Sequence, residues 1–446
     1  MRRWTASATR WCSNQLPIYA SDQVSLLAAG RPWLLRVASV RDGALRVADG
    51  ELVAADLADR RLAAVAAWRR VHGDLAGHPL ARRADLPLGA ALRALDARRS
   101  RSFTQYDGNL AELAGASRLM ARAFDQGRTS ATSIERWATC GFLYLLRDVP
   151  RVRATRRPED EWTASALDRG SVVHHILERF YRALADEKRL RPGDSIGPAD
   201  HDRLDDVAAQ VFADLEADGR AGHLLAWENA RAAILADLHE LLERDQAWRD
   251  ADGLVPIRFE QSFGRTDDPH SWPAVSLALA DGRTVAFSGI VDRIDVDRAT
   301  HRAMIIDYKT GGAAAYKDLE QDPVAGGRRI QLAVYTQAMR NAMRDRDGAP
   351  DAWQIEAQFR FVTARGGFQR IGVQDGPDIE TRLGQVVQWA ADGVGSGAFP
   401  SVPGVRDRGS FANCAYCDYD RVCHTVRDEA WKRKRGALPV LDAVIS

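Results

Sequence analysis

Two apolar runs that close on acids constrain this chain most tightly. In FSGIVDRID, Asp292 stands beside Arg293; in RAMIIDYKTGG, Asp307 is followed two residues later by Lys309. Both runs are rich in Val and Ile and alternate with period two, which predicts strands. Residues i and i+2 of a strand share a face, so Asp307 and Lys309 project together, while Tyr308 points the other way and leaves its carbonyl beside them. Carboxylates brought together on adjacent strands repel unless a divalent cation neutralises them. A lysine next to them can orient a water nucleophile or stabilise charge developing on a phosphate. The set predicts metal-assisted hydrolysis of a phosphodiester. A plainer reading makes Asp292–Arg293 and Asp307–Lys309 ordinary ion pairs at strand ends. Spacing alone leaves the two level, although Met304, Ile305 and Ile306 place Asp307 at the end of a buried strand. Only five of the 62 basic residues are lysines (Lys188, Lys309, Lys317, Lys432 and Lys434), so a lysine at this point hints that a compact ammonium is wanted.

The surrounding pattern predicts an α/β domain built on a mixed sheet. A helix capped by Ser130 or Thr132 runs through TSATSIERWATCGFLYLLRDV and carries Cys140. A second, ALDRGSVVHHILERFYRALADE, keeps a 3–4 apolar rhythm through Val173, Ile176, Leu177, Phe180, Tyr181 and Leu184. Helices are expected next over 201–217 and 223–248. Four strands follow (VPIRFEQSFG, AVSLALA, TVAFSGIVDRIDVD and RAMIIDY), then a helix, RRIQLAVYTQAMRNAM, a buried strand, IEAQFRFV, and a helix over 378–391. Residues 1–127, Ala- and Arg-rich with a helical stretch at 57–71, form a region ahead of a domain at 128–446. Within that region SFTQYDGNL, at 102–110, reads as an irregular connector.

Several classes are excluded or disfavoured. A net charge of +1 argues against a uniformly basic nucleic-acid coat but not against a local basic groove. No stretch nears the roughly 18 uninterrupted apolar residues of a membrane helix, and no GxxxxGK[ST] loop marks a P-loop motor. Two arginines near the start have no apolar stretch behind them, so no signal peptide is expected and the chain is placed in the cytoplasm. Thiols stay reduced there, and clustered cysteines bind metal more often than they form disulfides. Cys414, Cys417 and Cys423 form C-x2-C-x5-C, and Cys140 is the candidate fourth thiol, leaving Cys12 over. Such a set would staple two ends of a domain. Zinc held by the three clustered thiols with Cys140 or His424, and unrelated free thiols, remain open on spacing.

Taken in order, GSVVHHILERF, GIVDRID, IIDYKTG and QLAVY resemble the PD-(D/E)XK nucleases of the RecB and AddB type, whose pattern is a G-x-x-x-H helix, an Asp in G-x-[IV]-D-R-[IV]-D, a D-Y-K strand and a Q-x-x-x-Y helix. The resemblance implies a restriction-endonuclease-like mixed sheet flanked by helices, with helical insertions. It implies Mg²⁺ or Mn²⁺ held by His174, Asp292, Asp307 and the Tyr308 carbonyl, with Lys309 as the catalytic lysine and Gln331 and Tyr335 lining the site. His175 falls on another helix face. Glu260, in FEQSFG, is a weaker candidate for an additional carboxylate, since a strand-edge Glu paired with Arg explains it equally. The lone cysteine and C-x2-C-x5-C resemble the iron-sulfur staple of AddB-type nucleases, implying a [4Fe–4S] cluster on Cys140, Cys414, Cys417 and Cys423, with Gly141 where relatives often have Pro.

The same resemblance extends over 102–435 and implies a nuclease, expected to be a single-strand-preferring exonuclease, in double-strand break processing and recombinational repair. Its DNA would be single-stranded ends, delivered by a helicase subunit or by a helicase-like half that has no counterpart in these 446 residues. Candidate phosphate contacts are Arg151, Arg153, Arg156 and Arg157 after the Cys140 helix, and Lys432, Arg433, Lys434 and Arg435 after the cysteine loop. Tyr416 and Tyr419 are candidate base-stacking rings. Two alternatives stand beside this reading: a stand-alone iron-sulfur exonuclease of the CRISPR-adaptation kind, and a non-catalytic DNA-binding module of a larger complex.

Overall fold

The computed structural model describes residues 57–438, apart from 73–74, 76, 84–87, 112, 114–127, 154–161, 348–351, 408, 416, 420–421 and 424–425. Cys12, Arg156, Arg157, Tyr416 and His424 lie outside the described residues. The chain divides into two units after Ser100. The first contains helices α1 (Leu57–His72) and α2 (Leu88–Arg99). Everything below concerns the second.

The centre of that unit is a five-stranded sheet in the order β1-β4-β5-β6-β7. Its strands are β1 (Val255–Phe263), β4 (Gly289–Asp297), β5 (Arg302–Lys309), β6 (Gln354–Phe361) and β7 (Arg370–Gln374). β5 and β6 run parallel and every other pair runs antiparallel. A parallel neighbour needs a long crossover, and helix α8 (Gln331–Asp347) lies in that connection. A small hairpin, β2 (Val275–Ala278) with β3 (Thr284–Phe287), stands apart from the main sheet.

Both sheet faces are covered, which is why β5 is buried along almost its whole length. Ala303 and Ile305 face one core, shared with α3 (Ala131–Thr139), α8 and α9 (Pro377–Gly395). Met304, Ile306 and the Tyr308 ring face the other, shared with α5 (Ala166–Asp186), α6 (Pro198–Ala217) and α7 (Leu224–Asp252). Ser165 caps α5 by accepting the Asp168 N–H, and Val172, Val173, Ile176, Leu177, Phe180, Tyr181 and Leu184 form its buried stripe. The architecture is therefore a mixed α/β fold with helices on both sides of a mixed sheet, as in restriction-endonuclease-like proteins. Among the described residues no helix is long and apolar enough to cross a membrane.

Three local expectations change. The helix through Cys140 is broken: α3 ends at Thr139, α4 (Gly141–Asp148) begins afresh, and Cys140 between them is extended at φ −162°, ψ 108°. The run TVAFSGIVDRIDVD is two strands, interrupted at Ser288. Gly289 opens the second because a side chain there would meet the Phe263 ring at 2.8 Å. Finally, Arg370–Gln374 adds an edge strand beyond β6, a short polar-apolar alternation that carries little pattern of its own.

Candidate active site

The site forms where β4 and β5 lie side by side. Arg293 of β4 pairs with Ile306 of β5, which brings Asp292 and Asp307 together on one face. Asp292 is fixed by the neighbouring strand's backbone: its Oδ2 accepts the Tyr308 N–H at 2.6 Å. From the opposite side of the sheet α5 delivers His174, with Nε2 3.2 Å from the Tyr308 carbonyl oxygen and Nδ1 3.3 Å from Asp292 Oδ1. Gly170, one turn earlier, faces Thr310 just beyond Lys309. His175 is exposed on another face of the helix.

Glu260 completes the group. It sits in β1 between residues paired with Arg293 and Val291, opposite Asp292, and its φ of 49° is left-handed. A non-glycine residue seldom holds that conformation without a local reason. The Glu260 carboxylate lies 4.0 Å from His174 Nδ1. One ligand atom each from His174, Glu260 and Asp292 lies within 4.8 Å of the others.

On the other flank, Lys309 and Asp307 form an ion pair. Lys309 Nζ also donates to Gln331 Oε1 at 3.0 Å and lies over the Phe359 ring. Gln331, the first residue of α8, donates through Nε2 to Asp307 Oδ1 at 2.6 Å and to the Tyr335 hydroxyl at 2.8 Å. Gln331 and Tyr335 are i and i+4 and share a helix face. All six residues expected at the site are brought together.

The electrostatics follow from crowding. Burial, with Asp292 nearby, lifts the Glu260 carboxyl to about 7. Burial lifts Asp307 to about 6, with Lys309 pulling down and Asp292 pushing up. Burial opposes a charge on His174, yet Asp292, Asp307 and Glu260 together hold its pKa up to about 9. Two carboxylates and an imidazole, with the Tyr308 carbonyl and the Lys309-paired Asp307 beside them, make an oxygen-rich site of the kind that suits a hard divalent cation. A cation there would favour the ionised carboxylates against the burial and the Asp292 repulsion that lift them.

The surface-pair reading of Asp292 and Arg293 does not hold. Arg293 points through the opposite face and is wholly buried. Its Nε and Nη2 bond Asp295 at 2.6 and 2.7 Å, and Nη1 bonds both Asp245 oxygens at 2.9 and 3.0 Å and reaches the Tyr308 hydroxyl at 3.4 Å. Asp245 also pairs with Arg249 and Arg360. Tyr308 is thus held from both sides, its ring in this network and its carbonyl at the site.

The sequence family matches this geometry. A family model for the PD-(D/E)XK nuclease superfamily matches residues 128–424. This chain belongs to that superfamily. Similar curated proteins include a subunit of the ATP-dependent helicase/deoxyribonuclease of Lacticaseibacillus paracasei, 28% identical over 197 residues that cover 42% of this chain and 16% of that protein. The corresponding protein of Clostridium acetobutylicum is 25% identical over 225 residues, 48% of this chain and 17% of its own length. That of Clostridioides difficile is 24% identical over 231 residues, 49% and 18% respectively. The chain therefore spans less than a fifth of the length of these relatives.

The cysteine loop of this PD-(D/E)XK chain folds back on the α3–α4 break. Asn413 donates to the Thr139 and Val402 carbonyls at 3.0 and 3.2 Å, and the Val402 N–H reaches Cys140 Sγ at 3.4 Å. Gly141 permits the contact, since a side chain there would meet the Phe399 and Pro400 atoms at 3.0 Å. Cys140, Cys414, Cys417 and Cys423 are all half-buried. Burial lifts the Cys140 thiol to about 11, and Cys423 and Cys417 are close enough to raise it further. Arg427 approaches Cys414 Sγ at 3.8 Å. Cys417 and Cys423 thus lie near Cys140, which sits at the break between α3 and α4.

The expected DNA contacts divide. Arg151, Arg153, Lys432 and Arg435 are exposed and Arg433 is half-buried. Lys434 is not a free surface cation: it is 3% exposed and donates to the Ser102 carbonyl and Asp107 Oδ2, each at 2.7 Å. The connector at 102–110 is thereby tied into the second unit, where Thr104 and Asp107 cap each other and Asn109 bridges to Ala398. Tyr419 is corrected likewise. Its ring is buried and its hydroxyl donates to the Val152 carbonyl at 2.6 Å, which places the cysteine loop against Arg151 and Arg153 instead of offering a stacking surface.

Proposed function

We propose that the chain is a Mg²⁺- or Mn²⁺-dependent deoxyribonuclease, acting on single-stranded DNA ends as the nuclease part of a helicase-nuclease in break repair. The observation that carries this reading is the convergence of His174, Glu260 and Asp292, next to the Asp307–Lys309 ion pair on the neighbouring strand. His174, Asp292, Asp307 and the Tyr308 carbonyl would hold the cation, with Glu260 as a further carboxylate. When bound, the cation supplies Lewis acidity at the scissile phosphate. Lys309 directs its ammonium at the attacking water or at the charge developing on phosphorus. Gln331 keeps Lys309 and Asp307 in register, and Tyr335 supports the Gln331 amide. A water proton lost on attack can pass to a neighbouring carboxylate or to solvent. Relatives named as helicase/deoxyribonuclease components support DNA as substrate and a helicase as partner.

For the thiols, the proposed occupant is a [4Fe–4S] cluster on Cys140, Cys414, Cys417 and Cys423, closing the domain between α3 and the C-terminal loop. Arg151, Arg153, Lys432, Arg433 and Arg435, with Arg156 and Arg157, would meet the DNA backbone.

Incubation of the purified chain with end-labelled single- and double-stranded DNA, with and without Mg²⁺ or Mn²⁺, tests the activity. Absence of metal-dependent cleavage on either substrate would sink it. Anaerobically purified protein should be brown and hold about four iron atoms per chain; a colourless, zinc-loaded protein would replace the cluster assignment.

A further inference from the structure

Helix α8 starts without a cap of its own. Ile330, the residue ahead of Gln331, has no side-chain acceptor, yet the first N–H groups of a helix need partners. The acceptor comes from far away in sequence. Glu135 of α3 takes two backbone N–H groups on Oε1, that of Ile330 at 2.7 Å and that of Gln331 at 3.0 Å, across 195 and 196 residues. A carboxylate at a helix N-terminus also meets the positive end of the helix dipole.

The place of this contact gives it meaning. The residue whose backbone Glu135 holds is the one whose side chain joins Asp307 to Lys309. Gln331 stands at the fraying end of its helix, where backbone position is least fixed by intrahelical bonds. A small shift of that turn would carry the amide away from both partners. Burial lifts the Glu135 carboxyl above the usual glutamate range, against Arg329, Lys309 and the two N–H groups, so its bonds are made where water competes poorly.

We propose that Glu135 is a positioning residue for the nuclease: by clamping the Ile330 and Gln331 backbone it fixes the Gln331 amide between Asp307 and Lys309. This rests on the nuclease reading given above. The Glu135 hydrogen bonds are to the Ile330 and Gln331 backbone, so it acts through Gln331.

A double-mutant cycle on the full chain tests it, comparing wild type, Glu135→Ala, Glu135→Gln, Gln331→Ala and the Glu135→Ala/Gln331→Ala pair. Cleavage is followed as kcat and KM with Mn²⁺, and hydrogen exchange is read at Ile330 and Gln331. Glu135→Ala should lower kcat by ~100-fold, the usual order for an angstrom-scale misplacement, leave KM for DNA nearly unchanged and speed exchange at both amides. Glu135→Gln keeps an acceptor oxygen and should recover most of kcat. The double variant should be no worse than Gln331→Ala, because the two act as one unit. Full additivity in the cycle, or Glu135→Gln as impaired as Glu135→Ala, overturns the proposal. If wild type cleaves no DNA, the nuclease reading fails by itself, and the exchange data then decide the clamp: unchanged protection in Glu135→Ala refutes it, and lost protection upholds it.

Discussion

Replacing Arg293 by methionine should be among the most destabilising single changes in this domain. Arg293 is fully buried and gives two bonds to Asp295 and two to Asp245. It also lies over the Tyr181 ring at 4.7 Å. Burial opposes its charge, but Asp245 and Asp295 raise its pKa well above the ordinary arginine value. In Arg293→Met, Asp245 keeps Arg249 and Arg360, whereas Asp295, 1% exposed, loses the guanidinium that pairs with it. Leaving one buried charge uncompensated costs about 3–5 kcal/mol. At about 2–4 °C per kcal/mol for a domain of this class, Tm should fall by about 6–20 °C. Calorimetry or denaturant unfolding of the two proteins measures it. The companion variant Arg293→Met/Asp295→Leu removes the stranded charge and should regain much of the loss, since apolar replacement of a whole buried pair is often neutral. A loss under about 1 kcal/mol in the single variant, or a double variant less stable than the single, would refute the reasoning, because either result would mean that Asp295 is not a stranded charge.

Further consequences concern charge and metal. Asp245 is held below the usual aspartate range, burial notwithstanding, by Arg293, Arg360 and Arg249. A depressed folded-state pKa gives stability that is complete above the unfolded value of about 3.9 and is lost as pH falls through the folded value, so unfolding curves below about pH 4 should be less steep in Asp245→Asn than in wild type. At the site the sign reverses: Asp307 and Glu260 have pKa values lifted to about 6 and about 7, so the metal-free protein should lose stability as pH rises from the unfolded carboxylate value of about 4 through those values. Because the donors must shed protons to bind a cation, the Mn²⁺-induced rise in Tm should be larger at about pH 8 than at about pH 5.5, and an equal rise at both would contradict the donor assignment. Lys434→Met should lower Tm by breaking the clasp to Ser102 and Asp107 while leaving the salt dependence of DNA binding unaltered, whereas Lys432→Ala or Arg435→Ala should each reduce that slope by about 1.

The residues that sequence alone makes legible are those whose meaning depends on local spacing. Asp307 and Lys309 share a face because strands have period two; Gln331 and Tyr335 because helices return every four residues. His174, Asp292 and Tyr308 follow from the order of four short motifs. What escapes notice depends on long-range geometry or on backbone conformation that spacing does not encode. Glu260 is only a weaker candidate on spacing, since a strand-edge acid paired with Arg explains it equally, and the strand register opposite Asp292 is what brings it to the site. Arg293 looks like a partner for Asp292, yet adjacent strand residues face opposite ways, and its true partners include Asp245 on α7. Lys434 in a basic run reads as a candidate phosphate contact, and only the fold shows it buried against the 102–110 connector. The strand period that aligned Asp307 with Lys309 also excludes the Asp292–Arg293 pair, a consequence available from the sequence itself. Glu135 carries no local signal at all, since its partners lie 195 residues away.

The most direct measurement is metal-dependent cleavage of labelled single-stranded DNA by wild type and by Asp307→Ala, prepared identically and shown to melt alike. Wild type should cleave with Mg²⁺ or Mn²⁺ and stop on chelation, and Asp307→Ala should lose at least about 100-fold in rate, as removal of a residue that orders the reacting centre does. Equal cleavage by the two proteins, or cleavage by wild type that survives chelation, would contradict the assignment of this carboxylate cluster as a metal-dependent nuclease centre.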